Sequence, residues 1–552
     1  MTQRSFRTIA CVVCILAMGA AAIRPAAAAT LTVTNTNDSG AGSLRAAMSA
    51  AGAGDVIVFS ARGTIGLTSV IPVTTAVTIS GPGADQLAIS GSFIARIFEV
   101  TSNAIISGLT LKQGFADSTA LRGGAIKNTG TLTLDGVAFR ENVAFDGGGA
   151  LYNESASAST GQLVILNSEL SGNFVSDPSG IGGGALLSTS ITGNAASVTI
   201  VNSTITGNSV SENQNPRDMA GGGIYFANSA LRLFNSTVAA NRAGIAGGDI
   251  HQASVANTSL TLRNSIVSGG LVDFVGVAPT DIDLFQPGSA TIGSLGYNIV
   301  TNRSAATGYN ALTDAPNGTN PLLGALTANG GPTQTMLPPA LSPATAFVPL
   351  ASCLGDSGAA LTRDQRGYFR QASGMTACDA GATEGLALTA VMSRKFHGGL
   401  PYDVPITPTI PLAGPVNVEP RGIGAGHLLV FQFNGTITSL GTPAVAPIGS
   451  VSAVKSNNEV LVTLTSVPDN RRVTVSLAGA NGLLSLYSTS LGFLVGDVNG
   501  NRAVNASDIS AVKARMGPLI TNANFKFDLN ASGDITNTDV SAVKARSGLV
   551  LP

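Results

Sequence analysis

Residues 198–208 read VTIVNSTITGN, and variants of this phrase occur four more times between residues 132 and 270. Val198 and Ile200 alternate with polar residues at its start, which is the period of a β-strand. A second phrase that opens with paired glycines, such as GGALYN at 148–153, alternates with the first. The combined period of about 25 to 39 residues predicts a stack of coils, in which each pair of phrases is one or two rungs of a parallel β-helix.

The recurring positions of the first phrase predict the inside of each coil. Alternate apolar residues should face inward and stack on their counterparts in neighbouring coils, and this set comprises Leu163, Ile165, Val198, Ile200, Leu231 and Leu233. The central asparagine is expected to form an internal ladder of amide hydrogen bonds through Asn167, Asn202, Asn235 and Asn264. An antiparallel β-sandwich is the alternative, but repeats of unequal length fit loop insertions on a solenoid better.

The composition agrees with a β-rich chain that has many turns. Of its 552 residues, 67 are glycine, 5% are aromatic and none is tryptophan, which argues against a mostly helical protein. The length suggests roughly two to four domains. No run of lysine and arginine supplies the basic stripe that phosphate neutralisation requires, so we expect no nucleic-acid partner.

The amino terminus has the pattern of a secretory signal over residues 1–29. Two arginines precede an apolar run from Ile9 to Ala22, and small residues suited to cleavage follow, up to Ala29. An uncleaved anchor is the alternative, although the run is shorter than the ~20 residues that a spanning helix needs. The chain is therefore predicted to be secreted, extracellular or at the cell surface, with no transmembrane segment after cleavage.

Two cysteines remain after the predicted signal is removed, Cys353 and Cys378. In an oxidising compartment they are expected to form a disulfide, and two free thiols are the alternative. Closing a loop of about 25 residues would contribute ~3 kcal/mol on the chain-entropy model.

The repeats resemble the GGAI and FxxN phrases of polymorphic outer-membrane proteins, with Phe139 to Asn142 as the one complete FxxN. The stretch VTNTNDSGAGSLRAAM at 33–48 resembles the start of secreted bacterial β-helix proteins, and LTRDQRG at 361–367 with CDAGATE at 378–384 resembles their end. The resemblance implies a right-handed parallel β-helix of pectin-lyase-like fold over residues 30–384, with an N-terminal cap and a C-terminal closing segment.

Residues 385–494 have a different texture. Prolines crowd the first part, and strand-like alternation follows, which predicts a Pro-rich linker and a small β-sandwich that acts as a spacer or structural module. The predicted buried face of the sandwich comprises Val460, Val462, Leu464, Val473, Val475 and Leu477.

The carboxyl-terminal region, residues 495–552, carries a duplicated oxygen-rich turn. The first copy lies within GDVNGNRAVNASD at 496–508 and the second is DLNASGDITNTD at 528–539. Ligands at positions 1, 3, 5, 7, 9 and 12 of such a turn can direct oxygens at one centre, and hard oxygen ligands select Ca²⁺. The predicted ligands are Asp497, Asn499, Asn501, the Ala503 carbonyl, Asn505 and Asp508 in the first turn, and Asp528, Asn530, Ser532, the Asp534 carbonyl, Thr536 and Asp539 in the second.

Each turn leads into the same short helical phrase, ISAVKARMG or VSAVKARSG. Ile509, Val512 and Met516 are predicted to form a buried face of the first helix, with Val540 and Val543 as their counterparts in the second. An Asp/Asn-rich turn that holds no ion is the alternative to each calcium loop, although the duplication favours binding.

The duplicated loop and helix resemble the type I dockerin, and the resemblance implies a domain that folds on calcium and docks onto a cohesin. In that family loop positions 10 and 11 help to choose the partner, and here those positions are Ala506 with Ser507 and Asn537 with Thr538. Arg502 departs from the usual glycine at position 6 and should carry strain of about 1 kcal/mol. A different surface receptor or a second copy of the chain remains an alternative partner.

The sequence does not assign catalytic residues to the β-helix. Charged residues in or beside its turns are candidates, although for each a solvated charge is the simpler interpretation: Asp146, Asp177, Arg217, Asp218, Asp249 and His251. His397 and His427 are interpreted as structural, and Tyr152 and Tyr225 as candidate sugar-stacking residues.

Two functions follow from this sequence. The first is a secreted binding protein whose β-helix presents a face to a polysaccharide or cell-surface glycan while the tail docks in a calcium-dependent manner. The alternative is a polysaccharide-degrading enzyme, a lyase or glycoside hydrolase, carried by the dockerin-like domain; the fold alone implies neither.

Overall fold

The computed structural model describes residues 28–552 with gaps at 157–160, 178–179, 192–195, 211–218, 254, 274–279, 285–290, 304–308, 310–311, 340, 372–375, 408–416, 483–485 and 518. Arg217, Asp218 and nearly all of the predicted signal lie outside the described residues. No helix in the described part of the chain is long and apolar enough to cross a membrane.

Four parallel sheets form the predicted β-helix, and each central coil contributes one short strand to each of them. The ten-stranded sheet contains Thr30–Val33, Val56–Phe59, Val77–Ser80, Asn103–Ser107, Thr131–Asp135, Gln162–Leu166, Ala196–Val201, Ser229–Phe234, Ser259–Arg263 and Thr291–Ser294. The nine-stranded sheet contains Gly63–Gly66, Leu87–Ser90, Thr110–Lys112, Ala138–Arg140, Glu169–Ser171, Thr204–Thr206, Thr237–Ala239, Ile266–Ser268 and Ile299–Val300.

The other two sheets close the coils. The six-stranded sheet contains Phe115–Ala116, Val143–Ala144, Phe174–Val175, Ser209–Val210, Arg242–Ala243 and Leu271–Val272. The eight-stranded sheet contains Ile71–Val73, Phe98–Val100, Ile126–Asn128, Leu151–Ser155, Leu186–Ser190, Ile224–Ala227, Ile250–Gln252 and Ile282–Leu284. One pair of sequence phrases therefore makes one complete rung, and the prediction of a parallel β-helix is confirmed.

The inward stack follows the predicted alternation. Leu163 pairs in register with Val198, and Val198 pairs with Leu231, and all three are almost fully buried in one hydrophobic core. The paired glycines are needed for close approach between coils, because a Cβ on Gly149 would lie 2.2 Å from the carbonyl oxygen of Gly184 in the next rung. A larger residue there would force the rungs apart.

A helix covers the amino-terminal end of the β-helix, and a long segment follows its last rung. Helix α1 (Leu44–Ala50) follows the first strand, begins at the capping side chain of Ser43, and buries Leu44. Such a cap protects the unpaired backbone of the terminal rung. At the other end, residues 323–384, here called the closing segment, contain the 3₁₀ helix Leu350–Ser352 and the strand pair Val348–Pro349 and Ala377–Cys378.

The closing segment turns back over the outer face of the nine-stranded sheet. The backbone N–H of Gln334 donates to Glu169 at 2.8 Å, and the Thr204 hydroxyl donates to Gln365 at 2.6 Å. Cys353 and Cys378 form the predicted disulfide within this segment.

The predicted sandwich is formed by two mainly antiparallel sheets that share a core. One sheet contains, in spatial order, Leu400–Ile406, Leu388–His397, His427–Phe433, Glu459–Thr465 and Ser450–Ser456, and the other contains Asn417–Glu419, Leu486–Phe493, Arg471–Ala478 and Thr442–Ala446. All six residues of the predicted buried face have no exposed surface and lie in one cluster.

The carboxyl-terminal module contains helix α2 (Ala506–Lys513), the 3₁₀ helix Phe525–Phe527 and helix α3 (Asn537–Lys544). Val512, Val540 and Val543 are buried as predicted. Met516 was wrongly predicted to be buried: α2 ends at Lys513, so Met516 lies beyond the helical face and is 44% exposed.

Candidate calcium-binding site

The first oxygen-rich turn folds around two carboxylates. Asp497 is 1% exposed and its carboxylate accepts hydrogen bonds from the backbone N–H groups of Gly500, Asn501 and Arg502 at 2.9, 3.1 and 2.7 Å. Asp508 is fully buried. Burial, together with the charge of Asp508, raises the pKa of Asp497, although the loop's N–H groups oppose this shift.

The second turn repeats the arrangement. Asp528 accepts from the N–H groups of Ser532 at 3.1 Å and Gly533 at 2.8 Å. Asp539 accepts from the N–H groups of Leu529 and Thr536, both at 2.8 Å. Asp528 and Asp539 are both fully buried, so each turn holds a pair of buried carboxylates at its first and last predicted ligand positions.

Helix capping fixes the last ligand of each turn. Asn505 caps α2 and Thr536 caps α3, and in each case the aspartate three residues later accepts a hydrogen bond from the cap residue's N–H. This capping box places Asp508 and Asp539 in the first turn of a helix, where the helix dipole favours a negative charge.

Backbone conformations with positive φ bend both turns. Position 4 has φ of 75° at Gly500 and 58° at Ala531, while position 6 has φ of 71° at Arg502 and 103° at Gly533. Each loop therefore has glycine at one of these positions and a strained residue at the other. Arg502 adopts the left-handed conformation that the sequence required of it.

The donor chemistry of the turns fits calcium. Carboxylate, amide, hydroxyl and backbone carbonyl oxygens are ligands that Ca²⁺ prefers, and the buried carboxylate pairs would be compensated by a bound cation. Across the described residues there is no group of three or more His, Cys, Asp and Glu side chains that could hold a metal ion. Amide, hydroxyl and backbone carbonyl oxygens make up the rest of the two predicted ligand sets.

The predicted partner-binding residues lie on the surface. Ala506 and Ser507 begin α2, Asn537 and Thr538 begin α3, and all four are exposed. Their side chains are thus accessible to a partner at the amino-terminal end of each helix, next to the oxygen-rich turn.

The β-helix candidates are held in structural contacts. Asp146 lies 2.5 Å from Arg122, and His251 lies 3.2 Å from Asp283 and stacks on Tyr225. Tyr152 is only 4% exposed, which leaves little of its ring for stacking on a sugar.

An asparagine ladder that the sequence analysis missed runs through the interior. Asn142, Asn173, Asn208 and Asn241 are fully buried, and each amide group donates to the next residue's side-chain oxygen at 2.8 or 2.9 Å. Asn241 in turn donates to Asp249 at 2.8 Å. Burial, and then the charge of Asp281, raises the pKa of Asp249 well above its usual range. Asp249 therefore ends the ladder.

The predicted ladder through the central asparagines forms only in part. Asn202 donates to Asn167 at 3.3 Å and Asn264 donates to Asn235 at 3.2 Å. Between these two pairs the ladder is broken by the closing segment. Asn235 donates to the Leu354 carbonyl instead of to Asn202, and the side-chain oxygen of Asn202 accepts from Arg370.

One side chain at the second oxygen-rich turn was not predicted from the sequence. The Nδ1 atom of His397, at the end of a sandwich strand, lies 2.9 Å from Oδ2 of Asp528. No sequence pattern could have paired two residues that are 131 positions apart.

The geometry defines a duplicated module of loop and helix with an oxygen-rich turn in each half. Residues 495–546 match the family of the dockerin type I domain, which confirms the resemblance seen in the sequence. A search of curated proteins found no match. Among solved structures, the crystal structure of jun a 1, the major allergen from cedar pollen, is similar at 15% identity and a TM-score of 0.27, covering 52% of this chain and 85% of that chain. The fold of the β-helix rests on its own strand pairing and not on that likeness.

Proposed function

We propose that this chain is a secreted protein that docks to a partner through its carboxyl-terminal module in a calcium-dependent manner and presents a carbohydrate-binding face on its β-helix. Dockerin type I domains bind calcium and dock to cohesins, which supports the first half of the proposal. The observation that carries it is the pair of oxygen-rich turns, each with two buried carboxylates at the start of an exposed helix.

In this proposal calcium supplies the positive charge that holds each turn closed. Asp497, Asn499, Asn501, Ala503, Asn505 and Asp508 would hold one ion, and Asp528, Asn530, Ser532, Asp534, Thr536 and Asp539 would hold the other. Closing the turns orients α2 and α3, whose exposed first residues would contact the partner.

Calorimetric titration of the mature chain with calcium tests the metal sites. We expect two ions per chain, one ion in the Asp497→Ala variant, and none after Asp497→Ala and Asp528→Ala are combined. The absence of heat with the unaltered chain in millimolar calcium would contradict the proposal.

Binding to immobilised cohesin modules, with calcium or with chelator, tests the docking. Replacing Ala506 and Asn537 by arginine should abolish retention and leave calcium stoichiometry unchanged, because these side chains are exposed and lie outside the predicted ligand positions. Thr199→Ala, on the outer face of the ten-stranded sheet, is the matched control. Sedimentation of the chain alone in calcium distinguishes docking to a second copy.

The carbohydrate-binding face is proposed on the nine-stranded sheet. The closing segment covers this sheet from Glu169 onward, and the uncovered part carries a groove of about 420 Å³. Small residues such as Ala88 and Thr110 line the groove together with long polar side chains, which include Gln86, Lys112, Gln113 and Glu141. Such side chains can hydrogen-bond to sugar hydroxyl groups, and the small residues leave room for a polysaccharide chain.

Affinity electrophoresis in gels that contain pectin, alginate or other soluble polysaccharides tests the groove. Retardation should occur with at least one glycan and be lost in Gln86→Ala/Lys112→Ala, while Thr199→Ala should remain retarded. Equal retardation of all three proteins would place binding elsewhere. Release of shortened or unsaturated products from the same glycans would favour the enzyme alternative over a binding function.

A further inference from the structure

A buried polar chain joins the sandwich to the second oxygen-rich turn. It runs from Glu419 through Arg421 and His397 to Asp528, and all four side chains have no exposed surface. Both oxygens of Glu419 accept hydrogen bonds from Arg421, at 2.8 and 2.9 Å. The guanidinium also donates to the carbonyl of Ser393 at 2.7 Å, so its position is fixed.

The two neighbours of the His397 imidazole determine its tautomer. Arg421 Nη1 lies 3.2 Å from Nε2 of His397, and a guanidinium can only donate hydrogen bonds. Nε2 must therefore accept, and the ring proton of a neutral imidazole lies on Nδ1. Nδ1, 2.9 Å from Asp528 Oδ2, then donates to that carboxylate.

We propose that His397 is a positioning residue for the second calcium loop, so that the sandwich and the dockerin-like module act as one calcium-binding unit. His397 and the N–H of Gly533 both hold Oδ2 of Asp528, which leaves Oδ1 on the side of Ser532. Residues that orient a ligand from outside the coordination shell set its direction before the metal arrives. This inference rests on the calcium binding proposed above.

Backbone packing explains why the second loop, and not the first, contacts the sandwich beside His397. The sandwich hairpin approaches so closely that a Cβ on Gly533 would lie 2.9 Å from Cα of Gly398. The N–H of Gly422 donates to the carbonyl of Leu529 at 2.8 Å on the same contact. The first loop has Arg502 where the second has Gly533, and an arginine could not enter the gap.

The first loop provides an internal comparison. The hydrogen bonds described for the Asp497 carboxylate come from the N–H groups of its own loop, whereas Asp528 receives a further bond from the sandwich. Removing the imidazole donor should therefore weaken the second site and leave the first unchanged.

Calcium titration of the full mature chain in two backgrounds tests the inference. Asp497→Ala removes a ligand of the first loop, so its remaining site reports on the second. In that background His397→Leu should weaken calcium binding by about 10- to 100-fold, and His397→Asn, which retains an amide donor, should recover part of the loss. In the Asp528→Ala background, where only the first loop binds, His397→Leu should change nothing.

The outcomes are distinct. An unchanged affinity of the second loop in His397→Leu would overturn the inference and leave the calcium-binding proposal intact. Equal weakening of both loops would also overturn it, because that result reports general destabilisation. If the unaltered chain bound no calcium, the proposed function itself would fail and the inference with it.

Discussion

Replacing Asn208 with alanine should strongly destabilise the β-helix. Its amide group donates to Asn241 at 2.8 Å, to the Leu170 carbonyl at 2.9 Å and to the Thr206 carbonyl at 3.1 Å. Its side-chain oxygen accepts from the N–H and the amide group of Asn173 at 2.9 and 2.8 Å. An amide group has two protons, so these contacts amount to two donated and two accepted hydrogen bonds, and at about 1 kcal/mol each their loss costs about 4 kcal/mol.

That loss is large beside the ~5–15 kcal/mol that stabilises an ordinary domain. The substitution removes hydrogen-bond partners from buried groups in a site without exposed surface, and any group that stays unsatisfied costs about 1–3 kcal/mol. Urea denaturation followed by far-UV circular dichroism measures the change in the free energy of unfolding. Hydrogen exchange should show the greatest loss of protection in the strands on either side of Asn208.

Asn167→Gly is the matched control in the neighbouring rung. Asn167 is only half-buried and has φ of 49°, a conformation that glycine adopts without strain. Its amide donates to Asp135 at 2.8 Å and its side-chain oxygen accepts from Asn202 at 3.3 Å, so we expect a loss below about 2 kcal/mol. If Asn208→Ala costs no more than Asn167→Gly, the ladder does not stabilise the fold.

Three further changes test other parts of the chain. Cys353→Ser should lower stability by about 3 kcal/mol, because the disulfide to Cys378 closes a loop across a sequence separation of 25 residues; reductant should lower the melting temperature of the unaltered chain and leave the variant unchanged. Burial lowers the pKa of His427 from 6.5 to about 3. Its contribution to sandwich stability is therefore complete above pH 6.5 and decreases by about 1.4 kcal/mol per pH unit as the pH falls toward 3, and His427→Phe should reduce this dependence in urea titrations at pH 7 and 4. Gly435→Ala should loosen the junction of closing segment and sandwich, because the added Cβ would lie 2.1 Å from the Tyr368 ring; limited proteolysis near residue 385 detects this, and an unchanged cleavage rate would contradict it.

The fold was predictable because its periodicity is local. In-register stacking repeats the same alternation in every rung, so Leu163, Val198 and Leu231 could be assigned to one core from the phrase alone. The oxygen-rich turns were predictable for a similar reason, since all their predicted ligands lie within twelve residues. A pattern confined to one turn needs no knowledge of tertiary structure.

The contacts that escaped sequence analysis depend on tertiary structure. The sandwich was interpreted as a spacer or structural module, yet it places His397 against a predicted calcium ligand, and only three-dimensional packing brings these residues together. The central asparagines were assigned to a ladder because they recur from phrase to phrase. Their recurrence also has a conformational cause, which is a backbone with positive φ. Asn167 and Asn202 have φ of 49° and 50°, and asparagine tolerates the left-handed conformation better than most residues.

The end of the observed asparagine ladder is marked in the sequence by departures from the repeat and not by the repeat itself. The last of the five phrases ends in Gly269 and Gly270 where the others end in asparagine, and in the same coil Asp249 stands where the sister phrases have alanine or another small or apolar residue. A Cβ on Gly270 would lie 2.7 Å from the backbone nitrogen of Asp249, so that position has no room for an asparagine. The Asp249 carboxylate instead accepts from the N–H and the amide group of Asn241 at 3.0 and 2.8 Å. The two departures from the repeat are therefore one structural change, and the aspartate that looked least ordinary in the sequence is explained by its place at the end of a buried stack.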